Sequence, residues 1–172
     1  MKNRFLPRPP TRYTTSLAGI ALIQEFEKCR LKAYLDGGGV WTIGWGTTRY
    51  PDGRRVKQGD VCTQAQADAW MRADVASTEY AVDALTADTI SQKQFDALVS
   101  LTYNIGTGGY KGSTLRRRVN INPNDPRIRP ALMAWHYDNG KPIFGLWRRR
   151  HKEADFYFGV QTPVPLPPFP TR

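Results

Sequence analysis

Residues 33–62 constrain the fold more than any other part of the chain. They are rich in Gly, Thr, Trp and Tyr, hold few helix formers, and lie between a short apolar run and a long region of helical pattern. Tyr34-Leu35, then Asp36-Gly37-Gly38-Gly39, then Val40-Trp41-Thr42-Ile43-Gly44-Trp45 read as strand, turn, strand. Pro51-Asp52-Gly53 supplies a further turn. The stretch predicts a small antiparallel sheet.

On its N-terminal side, the apolar run Leu17–Ile23 predicts a first helix capped by Thr14, Thr15 or Ser16. Lys2, Arg4, Arg8 and Arg12 precede that run, as in an export signal. No small-residue cleavage site follows, however, and Gln24-Glu25 ends it at once. It is also too short to span a bilayer.

On its C-terminal side, Thr63 can cap a long helix through Asp83, with Ala65, Ala69, Val75 and Val82 among its apolar positions. Ser91 with Gln94 forms a capping-box pattern that opens a segment over Phe95–Ile105. Its apolar residues Phe95, Leu98, Val99, Leu101, Thr102 and Ile105 keep a helical period and predict core. Gly106–Gly112 is expected to break that helix. Shorter helices follow around Ser113–Val119, Arg127–Trp135 and Gly145–Phe158, the last stopped by Gly159.

One helix, a small sheet and a helical bundle make an α+β protein of two unequal lobes. The expected organisation is a basic, Pro-containing arm over 1–13, a folded unit over 14–159, and a Pro-rich tail over 160–172. The folded unit divides into the first helix plus β lobe (14–62) and the helical lobe (63–159). Both tails read as linkers, the second in loose polyproline-like conformations.

Composition narrows the function classes. The chain has 172 residues, 40% of them apolar, which excludes global disorder. Its formal charge of +10 favours a polyanionic partner: nucleic acid, anionic membrane or cell wall. The clearest basic cluster, Arg148-Arg149-Arg150-His151-Lys152, is explained by a solvated helix face. No zinc-finger or RNP pattern accompanies it, so no specific nucleic-acid recognition is expected. Cys29 and Cys62 read as free thiols rather than a disulfide framework. His136 and His151 share no ligand spacing, so neither a metal site nor a cofactor is expected.

The candidate chemistry lies between Glu27 and Gly46. Glu27 sits where the first helix ends and Asp36 at the turn before the second strand, so the two acids meet across the helix–sheet junction. Cleaving a glycosidic bond takes a carboxylic acid to protonate the leaving oxygen and a carboxylate on the other side of the sugar. In the strand, alternation puts Trp41, Ile43 and Trp45 on a core face. Thr42, Gly44 and Gly46 fall on an opposite face nearly bare of side chains. Spacing alone equally allows Glu27 as a surface acid paired with a neighbouring cation and Asp36 as a turn former.

The string Glu-x8-Asp-x5-Thr, with Lys32-Ala33-Tyr34 inside it and Thr42-Ile43-Gly44-Trp45-Gly46 closing it, resembles the catalytic signature of the phage-type lysozymes. These are the endolysins of the T-even phage lysozyme type, glycoside hydrolase family 24. Gln94–Leu101 and Tyr103-Asn104-Ile105-Gly106 are similar to the family's central helix. Ser113-Thr114-Leu115 and Gly145-Leu146-Trp147-Arg148-Arg149-Arg150 are similar to its later segments. The resemblance covers about residues 16–159.

The resemblance implies a lysozyme-like fold with the cleft between the lobes. It also implies a muramidase that hydrolyses the β-1,4 bond between N-acetylmuramic acid and N-acetylglucosamine in peptidoglycan, causing host lysis. Glu27 would be the general acid, Asp36 would orient or activate water, and Thr42 would help hold it. Asn104 and Gly106 would border the sugar cleft, Ser113 and Thr114 would line it, and Arg148 would approach Glu27. A monomer is expected. It would be made in the cytoplasm and act on the wall in the periplasm, with a holin-type factor giving access. The competing activities are a lytic transglycosylase and, further off, a peptidoglycan amidase or peptidase using Cys29 or a serine with His136 or His151.

Overall fold

The computed structural model describes residues 12–160 and 165–170. The chain opens with α1 (Leu17–Gln24), the strands β1 (Arg30–Leu35) and β2 (Trp41–Gly44), and the long helix α2 (Gln64–Leu85). It continues with α3 (Gln92–Gly112), α4 (Thr114–Ile121) and α5 (Ile128–Met133), which runs into a 3-10 turn over Ala134–His136. A two-residue hairpin, β3 (Tyr137–Asp138) with β4 (Lys141–Pro142), leads to α6 (Phe144–Phe158).

Caps place the helices. Ser16 caps α1, accepting from Gly19 N, and its hydroxyl donates to the buried carboxylate of Asp96, which ties α1 to α3. Thr63 with Gln66 and Ser91 with Gln94 form complete capping boxes on α2 and α3. Gly159 ends α6 in the left-handed conformation.

The core is built around α3, whose residues Gln94–Thr102 are buried without interruption. Helix α3 packs against α1, α2 and α6, and a helix covered on every side is buried all round. Phe95, Leu98, Val99 and Leu101 meet Ile23, Met71, Val75, Leu115, Leu132 and Tyr157. On α2 the inward stripe is Ala67, Met71, Val75 and Val82. Ala65 and Ala69 face outward, which corrects their expected place: they fall between the rows that touch the core.

Three further differences have local causes. The helix expected to break over Gly106–Gly112 kinks instead: Gly106 takes φ +78°, ψ 156°, and helical bonding resumes through Gly112. On β2, Thr42 is only 4% exposed and Gly44 is buried, so that face is not an open platform. Gly44 sits at φ +62° with α2 pressed onto it: a Cβ there would lie 3.1 Å from the Cβ of Ala67. No other residue suits both the backbone and the space. The third difference is in the tails.

Of the N-terminal arm, Arg12 and Tyr13 are described, and both are docked. Arg12 pairs with Asp83 at 3.0 Å and with Asp88, while Tyr13 packs on Phe95 with ring centroids 5.4 Å apart. Of the tail, Phe169 seats on the rings of Phe144 and Trp147, at 5.4 and 5.7 Å. The remainder of the arm, residues 1–11, and the tail residues 161–164 and 171–172 lie outside the described residues. Cys29 and Cys62 are free thiols, both raised above their usual pKa by burial.

Candidate active site

Helix α1 ends at Gln24 and the chain turns through Glu25 and Phe26, with Glu27 N still donating to Ile23 O at 3.2 Å. Glu27 therefore hangs from a fixed helix end at the junction of the lobes. It borders an open cleft of about 550 Å³. The segment after β2 contributes Trp45, Gly46, Thr48 and Arg49 to this cleft, α2 contributes Asp74 and Thr78, and α3 contributes Tyr103 and Asn104. Two bonds hold its walls together: Tyr103 Oη donates to Trp45 O at 3.3 Å, and Trp45 Nε1 donates to Asp68 Oδ1 at 2.7 Å. Burial raises the Tyr103 hydroxyl far above its usual pKa, helped by the charges of Asp74 and Glu27. It stays a neutral donor. Desolvation raises the carboxyl of Asp74 as well.

The Glu27 side chain is 24% exposed and held by one cation. Arg149 Nη1 donates to Glu27 Oε1 at 2.7 Å. Oε2 accepts no hydrogen bond from any described residue. The expected partner was Arg148, and the correction is one residue: Arg148 is exposed, whereas Arg149 points inward. Arg149 is 3% exposed, Arg150 and Glu153 are fully buried, and Arg149 Nε and Arg150 Nη2 both donate to Glu153 Oε1 at 3.0 Å. The basic cluster is thus no solvated face. Arg149 and Arg150 belong to a buried charge network with Glu153, and burial pushes the Arg150 guanidinium down to about 10.

Asp36 closes β1. Its amide donates to Val40 O at 3.0 Å, and its Oδ1 accepts from Gly38 N at 2.9 Å and Val40 N at 2.8 Å. Oδ2 accepts nothing from the described residues. The hairpin register pairs Tyr34 with Thr42 and Leu35 with Trp41. Asp36 and Thr42 are therefore diagonal neighbours on one face of the hairpin, a relation in which side chains still reach each other. The Thr42 hydroxyl donates to Val40 O at 3.1 Å. A groove of about 400 Å³, lined by Gly39, Val40, Trp41 and Arg55, shares Thr48 and Arg49 with the Glu27 cleft. The Asp36 turn and Glu27 thus border adjoining spaces.

The remaining candidates fall in different places. Asn104 lines the cleft beside Glu27, and Gly106 forms the kink two residues on. Ser113 is buried, its hydroxyl donating to Tyr110 O at 2.8 Å and accepting from Arg116 N at 3.0 Å, so both its bonding roles serve helix ends. Thr114 lines a separate groove of about 510 Å³ with Arg118, Ala131 and Trp135. Asp74, Thr78, Thr48 and Arg49 were not singled out from sequence, and Trp45 and Tyr103 were read as core face and central helix rather than as cleft. They come from elements read as scaffold, and only the fold brings them to one wall. Among the described residues, no group of three or more His, Cys, Asp and Glu side chains could hold a metal, and no helix is long and apolar enough to cross a membrane.

Known proteins resemble this chain in sequence and in fold. The chain is 36% identical over 143 residues to an endolysin of Acyrthosiphon pisum secondary endosymbiont phage 1, a match spanning 81% of this chain and 94% of that one. Among solved structures, an endolysin from Escherichia coli O157:H7 phage FAHEc1 superposes with a TM-score of 0.80 at 38% identity, covering 89% of this chain and 98% of that one. The muramidase domain of SpmX from Asticaccaulis excentricus superposes at 0.74 with 34% identity, covering 88% and 100%. The profile of the phage lysozyme family matches residues 24–153, which carry Glu27, Asp36, Thr42 and Arg149. The chain therefore belongs to the phage lysozyme family and is a glycoside hydrolase that lyses peptidoglycan.

Proposed function

We propose that Glu27 is the general acid of a muramidase that cleaves between N-acetylmuramic acid and N-acetylglucosamine, with Asp36 and Thr42 holding the nucleophilic water. The observation that carries this is the asymmetric setting of the Glu27 carboxyl. Arg149 occupies Oε1, so the transferable proton resides on Oε2, which no described residue engages at the cleft. A glycosidic oxygen bound there receives the proton as the bond breaks. Asp36 supports the other half of the reaction. Two backbone amides hold its Oδ1, which leaves Oδ2 to accept a proton from water, with the Thr42 hydroxyl on the same hairpin face.

A carboxylate that activates water, rather than attacking the sugar itself, predicts inversion at the anomeric carbon. Asn104, beside Glu27, is assigned to sugar binding, with Gly106 shaping that end of the cleft. Ser113 contributes through the turn that it caps, and Thr114 by extending the binding surface along the helical lobe. The catalytic unit is assigned to residues 14–159, and the Glu-x8-Asp-x5-Thr spacing supports the T-even type of glycoside hydrolase family 24. It works as a monomer and reaches the wall after a holin-type factor has breached the inner membrane.

Glu27→Gln tests the assignment. Gln keeps the shape and the Arg149 contact but has no proton to give, so the folded variant is expected to lose at least about a hundred- to ten-thousand-fold in rate. Parental activity in that variant would end the reading.

A further inference from the structure

The mechanism above uses Arg149 only as the partner of Glu27 and gives no role to the buried pair behind it, Arg150 and Glu153. Arg150 and Glu153 have fully buried side chains, and the side chain of Arg149, counted alone, is 4% exposed. Burying charges costs free energy unless they are paired, and a buried pair is no more stabilising than apolar side chains of similar size. The placement of this group therefore calls for an explanation other than stability.

The contacts run as a relay. Ser100 Oγ donates to Glu153 Oε1 at 2.7 Å, and the same oxygen accepts from Arg149 Nε at 3.0 Å. Arg149 Nη2 donates to Ser100 O at 3.2 Å, and Nη1 reaches Glu27 at 2.7 Å. Three donors of one planar group are thus committed in three directions, two of them to partners that Glu153 and Ser100 fix. The guanidinium presents a single donor to Glu27.

Charge counting gives the consequence. Arg149 and Arg150 carry +2, and Glu153 with ionised Glu27 carries −2, so the group is neutral when Glu27 is ionised and +1 when it is protonated. The acid must be protonated to act. Without Glu153 that working state would bury +2, and two cations would hold Glu27 in its ionised form.

We propose that Glu153, clamped by Ser100, is a positioning residue that sets the proton affinity of Glu27 through Arg149. Glu153 holds the guanidinium in place and offsets its charge on the side away from the cleft, so the arginine that orients Glu27 is itself charge-balanced. Other charged and titratable groups also face Glu27: Arg150 from α6, Tyr103 from α3, Asp74 from α2 and Arg49 from the segment after β2. Among the described residues, Glu153 is the one acid besides Glu27 that ion-pairs with Arg149.

This inference rests on Glu27 as the proton donor, and its test separates the two claims. The Glu27 carboxyl is titrated directly by 13C NMR in intact protein labelled at glutamate carboxyls, and the pH–rate profile is recorded on the same samples. Glu153→Gln keeps the shape and an acceptor for Arg149 but removes the negative charge. The Glu27 titration should then fall by about one pH unit or more, the scale set by one charge at close range. The alkaline limb of activity should fall with it. Glu153→Asp keeps the charge but draws it back from Arg149, so its titration should lie between parent and Gln. If Glu153→Gln does not fold, the Asp variant decides alone.

A Glu27 titration unchanged from the parent in the folded variants overturns the proposal, because a purely structural residue would lower stability without moving that proton. A shifted titration with an unmoved activity limb upholds this relay and instead refutes Glu27 as the acid.

Discussion

Gly44→Ala probes the link from backbone to site in a single atom. The position demands φ +62°, and a Cβ there would lie 3.1 Å from the Cβ and 3.4 Å from the Cα of Ala67. A left-handed backbone costs a non-glycine residue about 1–2 kcal/mol. Forcing one methyl into a closed contact adds about 1–3 kcal/mol. Because α2 has to give way to relieve the contact, the two costs add to roughly 2–5 kcal/mol. For a chain of this size each kcal/mol lowers the melting temperature by about 2–4 °C, so a fall of about 4–20 °C is expected by thermal circular dichroism. Combining the change with Ala67→Gly should recover part of the steric cost but none of the backbone cost. Trp45 and Gly46 follow directly and line the cleft, so activity below the melting transition should drop as well. A variant melting within about a degree of the parent would refute the argument that Gly44 is needed for the close approach of the lobes.

Three further outcomes follow from the charges and the site. Lysis should fall steeply from low to moderate salt, because a +10 protein meets an anionic wall through attraction that ions screen over about 10 Å at 0.1 M; a flat profile would assign the charge another purpose. Asp125 is held below the ordinary carboxylate range by its hydrogen bonds to Arg127 and by the charges of Arg127 and Arg118. A depressed folded pKa contributes stability above the unfolded value of about 4 that is lost as pH falls through the folded value. Asp125→Asn should therefore melt lower than the parent at neutral pH, with the gap closing in acid; a gap that persists in acid would count against the charge argument. Proton NMR of fresh product should show the inverted α-anomer before mutarotation, and a β-anomer at first appearance would remove the water-holding roles of Asp36 and Thr42.

What could be read from sequence was what is local. Ser16, the Thr63 cap, the Ser91–Gln94 box and the Gly159 stop act within one helical turn, and each stands where the pattern put it. The hairpin over β3 and β4 carried an equally local signal that was passed over. Asn139-Gly140, with φ +48° and +75°, is the dipeptide that a tight hairpin turn favours. The charge network was different in kind. Glu27 and Arg149 are 122 positions apart, and Ser100 and Glu153 are 53 apart. In a run of three arginines, a shift of one residue turns the side chain by about 100° around the helix and exchanges buried for exposed. No local rule chooses between Arg148 and Arg149. Asp74 was hidden for a related reason: it lies on the exposed side of α2, and only the fold brings Trp45, Thr48 and Arg49 to the same cleft.

The central claim is hydrolysis of the glycan by an acid–water pair at Glu27 and Asp36. Mass spectrometry of the fragments released from purified peptidoglycan tests it most directly. Hydrolysis adds water at each cut, so the account predicts disaccharide-peptides that end in intact, reducing N-acetylmuramic acid and that incorporate one 18O per cleavage in labelled water. Fragments ending in an anhydro ring, lighter by one water and free of 18O, would contradict the role of the Asp36 water. Severed peptides on uncut glycan would contradict the account altogether.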